Sequence, residues 1–456
     1  MKTNTAMITF YGGARSVTGS NFMFEVGGAK MLVDCGFFQG DIIGADRNRK
    51  DFGYNPRDID ILFITHAHID HIGRIPMLVK QGFNGKIYST PPTRDIAKLM
   101  LTDSTRVLAG EAREKKIEPL YTEQDVLKAM SLWETYDYHD VIKLPEGGSA
   151  TLKDAGHILG SAMVEFEYNG KHIVFTGDLG NSPAPLLHDT ESIAGADYLI
   201  MESVYGDRNH ENIKDRKYIL EDVIEETINS GGVLMVPAFS LERTQDLLFE
   251  INNLVENGKI PSVPVYLDSP LAIKVTDIYK QYQQYFNKNT QDIIKSGDDI
   301  FSFPKLKRTL SREESMEIVR QKGPKIILAG SGMSNGGRII HHEKQYLSDP
   351  KNTLLLVGYQ APGTRGREIA DGAKEVEILG KKVSIKAKVV NLRGYSAHKD
   401  SDALFDFVNI AQDTLKKIFI VLGEPKSSFY LAQRIRDYMG VEAVVPEEGD
   451  KVTLEL

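Results

Sequence analysis

Cysteine occurs once in these 456 residues, at Cys35. No internal disulfide can form and no cysteine cluster can hold a metal, so any ligands must be histidines and carboxylates. Long apolar runs are lacking as well. None reaches the eighteen or so residues that cross a bilayer, and the opening M-K-T-N-T-A-M-I-T-F leads into a strand-like pattern rather than the apolar core of a secretion signal. The expectation is a soluble cytoplasmic protein with no membrane partner. Internal repeats, low-complexity tracts and a Pro-rich linker are also missing, so domain boundaries must be sought in connectivity. An overall excess of positive charge is lacking too: the formal charge of -8 argues against a general nucleic-acid coat. That charge is unevenly spread. Residues 206 to 388 hold 27 Lys and Arg against 25 Asp and Glu, which makes the middle of the chain locally basic.

What is present is enough apolar material, 41% of residues, for two or three domains. Short β-branched runs end in polar or glycine turns: K-M-L-V-D (30 to 34), D-I-L-F-I-T (60 to 65), H-I-V-F-T-G-D (172 to 178) and Y-L-I-M-E-S (198 to 203). Each reads as a buried strand. Later runs such as G-V-L-M-V-P and K-I-I-L-A-G precede helical patterns, and that alternation predicts α/β layers. In such sheets the residues just past a strand's C-terminal end line the ligand crevice. Asp34, His66, Asp178 and Glu202 all stand there.

Three of the eleven histidines fall within six residues, in T-H-A-H-I-D-H-I-G (65 to 73). His66 and His68 are two apart on the loop leaving a strand, which lets their imidazoles converge on one ion, while Asp70 and His71 begin the next turn. The set suits the borderline-soft Zn²⁺. An idle histidine-rich surface loop is the bland alternative, and the spacing after a buried strand weighs heavily against it. His157, in D-A-G-H-I-L-G-S-A, and Asp178, in F-T-G-D-L-G, sit at other strand ends. Alone, each reads as a buried imidazole and a turn cap; with the first cluster they read as further ligands.

Asp34, His66-x-His68-x-Asp70-His71, His157 and Asp178 resemble the successive motifs of the metallo-β-lactamase fold. E-S-V-Y-G-D-R (202 to 208) and G-Y-S-A-H-K-D (394 to 400) resemble the acidic and histidine motifs that bracket a β-CASP insertion. G-A-R-S-V-T-G-S (13 to 20), P-A-F-S-L-E-R-T-Q (237 to 245) and S-G-M-S-N-G-G-R (331 to 338) extend the likeness to nearly the whole length. The resemblance is to the β-CASP nucleases, the group of ribonuclease J and the endonuclease of the pre-mRNA cleavage and polyadenylation factor. It implies an α/β chain with a four-layer αββα sandwich over 1–207 and 389–456 and an inserted α/β β-CASP domain over 208–388.

The resemblance also implies roles. His66, His68, His157 and Asp178 would hold one Zn²⁺, and Asp70, His71 and the shared Asp178 a second cation, with Mn²⁺ as an alternative metal. Asp34 would accept an N–H from a ligand imidazole. Two cations about 3.5 to 4 Å apart activate a hydroxide for attack on a phosphodiester, while His398, oriented and kept cationic by Glu202, would protonate the leaving oxygen. Asp70, Glu202 and His398 are thus the expected catalytic residues. One motif is broken: the family's final histidine, in a Val-His-Gly-Glu strand end, corresponds to Leu422 in V-L-G-E-P (421 to 425). Leucine coordinates nothing, so the second site should be the weaker.

For substrate contacts, Lys305, Lys307, Arg308, Arg312, Arg320, Lys322 and Lys325 gather charge suited to a phosphate backbone, against the alternative of a solvated helix face. The turn containing Ser331, Gly332 and Ser334 could cradle a phosphate at a helix N-terminus, or be a bare glycine turn. His341 and His342 are expected to be exposed and to ligate nothing. The favoured reading is a metal-dependent ribonuclease acting on single-stranded RNA, with 5′ exonuclease action and a homodimer left open. Its rivals are a catalytically weak RNA-binding member of an assembly and a small-molecule metallohydrolase.

Overall fold

The computed structural model describes residues 4–40, 42–210, 215–361 and 363–456. They form two compact units, 1–209 with 397–456, and 210–396.

The first unit is built on two seven-stranded sheets. One runs in the order Lys451–Glu455, Thr5–Gly12, Asn21–Val26, Ala29–Val33, Ile61–Phe63, Lys86–Ser89 and Trp133–Thr135. The other runs Glu442–Val444, Lys417–Ile420, Tyr198–Met201, Lys171–Phe175, Ala162–Tyr168, Ser149–Asp154 and Ile142–Lys143. Their inner faces meet in an aromatic layer of Phe10, Phe22, Phe24, Phe63, Phe166, Phe175 and Phe419. Phe24 and Phe166 pack at a tilt of 31° with centroids 4.8 Å apart, and Phe63 meets Phe166 edge-on at 5.1 Å. Burying a side chain of this size stabilises by about 1.5–3 kcal/mol. Outside the second sheet, Leu404, Phe407 and Val408 of helix Ser401–Asn409 and Leu431, Ala432 and Ile435 of helix Pro425–Met439 close a second core. Helices Ile75–Lys80, Pro91–Lys115 and Glu123–Ser131 bury Leu78, Val79, Ile96, Leu101 and Val126. The result is the αββα sandwich. The chain's last strand pairs antiparallel with its first, Thr5 opposite Glu455.

The second unit holds a six-stranded parallel sheet in the order Leu306–Arg308, Val265–Leu267, Lys325–Ala329, Val233–Pro237, Thr353–Val357 and Lys388–Leu392. Largely apolar runs such as V-L-M-V-P and T-L-L-L-V are buried on both faces, as a parallel sheet between helices requires. Lys388–Leu392 pairs with Thr353–Val357 and so completes this sheet.

Candidate metal centre

Past strand Ile61–Phe63 the chain runs through Thr65 to His68, which is extended at φ -67°, ψ 147° and leads into the single-turn helix Ile69–Ile72. That puts His66 and His71 side by side, ring centroids 3.9 Å apart. His157 follows strand Ser149–Asp154, and Asp178 follows Lys171–Phe175. The backbones must come very close for these loops to share one crevice. Gly36 and Gly180 permit it: a Cβ on Gly36 would lie 1.4 Å from the Asp70 carbonyl oxygen, and one on Gly180 1.8 Å from that of Gly156.

The donor atoms of His66, His68, His157 and Asp178 lie within 4.8 Å of one another. His66 Nε2 and His68 Nδ1 are 3.1 Å apart, His157 Nε2 and His68 Nδ1 3.2 Å, and Asp178 Oδ2 stands 3.4 Å from His66 Nε2 and 3.6 Å from His157 Nε2. Four ligands at tetrahedral bond lengths of about 2.0–2.2 Å are separated by about 3.3–3.6 Å. The four separations, 3.1–3.6 Å, lie close to that range, as a shared cation requires. Electrostatics agree: burial and the neighbouring imidazoles lower the pKa of His66, and those of His68 and His157 further, leaving neutral rings with lone pairs to give. For Asp178 burial favours the acid, but His71 and His66 outweigh it and hold the carboxylate well below its usual range.

Beside this set, Asp34 takes a left-handed φ of 62° at the end of strand Ala29–Val33 and turns its buried carboxylate inward. Oδ2 accepts from His71 Nδ1 at 2.7 Å and from Ser20 Oγ at 3.0 Å, and Oδ1 accepts from the Thr65 N–H at 2.9 Å. His71 Nε2 is buried without a hydrogen-bond partner and faces Asp178 Oδ2 at 3.5 Å. Burial opposes charge on this ring, but Asp178 and Asp34 outweigh it and raise its pKa well above the usual value, so a positive charge is favoured between the two carboxylates, carried here by the imidazolium and replaceable by a cation on Nε2. Asp70 adjoins it, its pKa raised by burial, with His71 opposing and Asp178 adding to the shift. Sequence reading passed over Thr65, whose Oγ1 lies 2.9 Å from Asp34 Oδ2 and 3.0 Å from His66 Nδ1. It links Asp34 to the second imidazole, and the only signal was its place before the first histidine.

Glu202 and His398, 196 residues apart, meet at 3.1 Å between Oε1 and Nδ1. Spacing alone could not show this. Glu202 is fully buried at the end of strand Tyr198–Met201, where its Oε1 also accepts from the Leu179 N–H at 2.6 Å. His398 is held by an isolated bridge to Gly180, its ring 4.7 Å from that of His157. Leu422 is buried with φ 48°, its Cδ2 packed toward Gly13 in the core between the sheets.

The expected phosphate cradle in the second unit fares differently. Ser334 is wholly buried and donates its hydroxyl to Glu343. Gly332 is covered by Phe239, whose ring a Cβ would approach to 2.6 Å, and the Ser331 N–H is taken by the Gly336 carbonyl at 3.1 Å. These groups hold the loop itself. His342, expected to be exposed, is buried and pairs with Asp268 at 2.7 Å because its helix lays that face on the sheet; His341 is exposed. Lys307 and Arg308 are both exposed, but Arg308 is paired with Asp277 at 2.6 Å. Lys325 is buried, its ammonium bonded to the Ile318 carbonyl at 3.0 Å, and so leaves the basic surface.

Residues 16–204 match the metallo-β-lactamase superfamily, 244–369 the β-CASP domain, and 382–446 a domain described as a Zn-dependent metallo-hydrolase RNA specificity domain. The chain is 36% identical to ribonuclease TTHA0252 of Thermus thermophilus over 87% of its own length and 89% of that protein. It is 34% identical to an RNase J-like protein of Methanocaldococcus jannaschii over 97% and 98%. With transcription termination factor FttA of Methanosarcina mazei it shares 34% identity over 95% of this chain and 69% of the other. A solved protein of unknown function from Enterococcus faecalis V583 has the same fold, with TM-score 0.58 at 15% identity over 99% of this chain and 100% of that one.

Proposed function

Because the chain belongs to the metallo-β-lactamase superfamily and, through its insertion, to the β-CASP family within it, we propose that it hydrolyses phosphodiester bonds of single-stranded RNA with Zn²⁺ held by His66, His68, His157 and Asp178. The observation that carries this reading is the convergence of those four donors beside the Glu202–His398 pair. A cation bound there would supply Lewis acidity, making a water acidic near neutral pH and drawing charge from a phosphate oxygen.

The side chains do the rest. Asp34 and Thr65 keep the protons of His71 and His66 on Nδ1, so that each Nε2 points its lone pair into the site. Glu202 orients His398 through Nδ1 and balances positive charge on the ring, which leaves Nε2 to give its proton to the departing ribose oxygen. A chelator, or His68→Ala, should abolish cleavage of a single-stranded RNA. Full cleavage in either case overturns the proposal.

A second reading has its own support. The donor atoms of Asp178, Glu202 and His398 also lie within 4.8 Å of one another, so with Leu422 in place of a ligand, His398 could close the shell of a second cation. The metal content of His398→Ala separates the two: a proton donor can be removed without loss of metal, a ligand cannot.

A further inference from the structure

Helices Ser401–Asn409 and Pro425–Met439 bury one side against the second sheet, and between their outer sides lies a groove of about 830 Å³. Its wall carries Tyr430, Arg434 and Tyr438 at successive steps of four along one helix, facing Phe405 on the other. Tyr430 and Tyr438 are 53% and 78% exposed, a large outlay of aromatic surface in water. The set is preorganised. Tyr438 meets Phe405 edge-on at 6.2 Å, and the Arg434 guanidinium lies 4.5 Å over the same ring. Arg434 is clamped there by Ser401 Oγ at 3.0 Å and Asp402 Oδ1 at 2.7 Å. Gln433 and Asp437 line the groove with hydrogen-bonding groups.

We propose that this groove binds unstacked bases of the RNA near the scissile phosphate and sets sequence preference, an inference that rests on the ribonuclease reading. Single-stranded RNA is recognised through splayed bases stacked on aromatic rings or arginine planes and bonded along their edges. A backbone-tracking channel would be strongly basic, whereas Arg208 and Arg434 are here matched by Asp207, Asp402 and Asp437. The balance suits bases rather than phosphates. A short chain of side chains joins the groove to the reaction centre in the same unit: the His398 ring is 6.1 Å from that of Tyr205, and Arg208, which lines the groove, lies 5.1 Å over Tyr205. Most of the lining falls within residues 382–446, the stretch matched to an RNA specificity domain. Asp437 can only accept hydrogen bonds, so it should favour the bases with an exocyclic amine, guanine, adenine and cytosine, over uracil, whose one donor is N3–H.

The test uses the full chain and fluorescein-labelled ten-mers of A, C and U, with binding measured in chelator to prevent cleavage and KM measured with metal. Tyr438→Ala should weaken binding by about 5- to 100-fold, the range for loss of one stacked base, and raise KM, while melting temperature and bound metal per chain stay at wild-type values. Asp437→Asn should shrink the ratio of A and C affinity to that for U. Unchanged affinities and ratios in both variants would overturn the proposal, as would a Tyr438→Ala effect confined to the sedimenting mass, which would make this face a contact between copies. Wild-type protein that binds the ten-mers but never cleaves would overturn the ribonuclease reading and leave the affinity comparison to decide the groove. Absence of RNA binding would overturn both.

Discussion

Thr65 is the smallest group in the centre with a disproportionate reach, because its hydroxyl lies within hydrogen-bonding distance of Asp34 and of the His66 ring. Thr65→Val keeps the volume and removes that link, and should weaken metal binding about 10- to 100-fold, with Thr65→Ser near wild type; a metal titration of the apo-protein reads this. His398→Ala should slow the chemical step by about 10²–10⁴ with metal content unchanged, as single-turnover cleavage beside a metal assay would show. A third residue tests the second unit. Burial pushes the Glu343 carboxyl up to about 7, against the Ser334 hydroxyl and Arg365. A carboxyl whose folded pKa exceeds its unfolded one favours folding fully at low pH and loses that contribution as pH rises through the folded value. Wild type should therefore lose on the order of 3 kcal/mol between about pH 4.5 and 7 relative to Glu343→Gln. Parallel denaturation curves for the two across that window would contradict it.

At the scale of elements, strands and their ends were legible because fully apolar runs bounded by turns leave little alternative, and the chemistry-bearing residues stand just beyond them. His66, His68, His157 and Asp178 could be read from the sequence for that reason, and the structure brings their donors together. The Glu202–His398 pair could be read only through the family resemblance and not from spacing, since a contact spanning 196 residues follows no local pattern and His398 is placed by its isolated bridge to Gly180. The glycine-rich turn stayed open between two readings, because a loop that cradles phosphate and one that seals itself with Ser334 and Glu343 have the same composition. The basic segment was likewise overcounted, because sequence cannot see that Arg308 meets Asp277 or that Lys325 turns inward. Reversing the charge of Lys307 and Arg308 together should weaken RNA binding across all sequences and flatten its salt dependence. An unchanged slope of log affinity against log salt would remove strand Leu306–Arg308 from the RNA path.

For the molecule as a whole, the proposed centre would hold two cations unequally. The first would be closed by His66, His68, His157 and Asp178, while a second, with Leu422 in place of a ligand, would have only Asp70, His71 and the shared Asp178, and fewer protein ligands leave more of a shell to exchangeable water. Zn²⁺ should therefore bind in two stages. The most direct measurement is to strip the protein with chelator, return Zn²⁺ in steps, and follow cleavage of a single-stranded RNA against bound metal per chain. The account predicts no cleavage without metal, an onset as the first equivalent fills, and a further rise at higher Zn²⁺ as the weaker position is occupied. Cleavage by the stripped protein, or none at any occupancy, would contradict it.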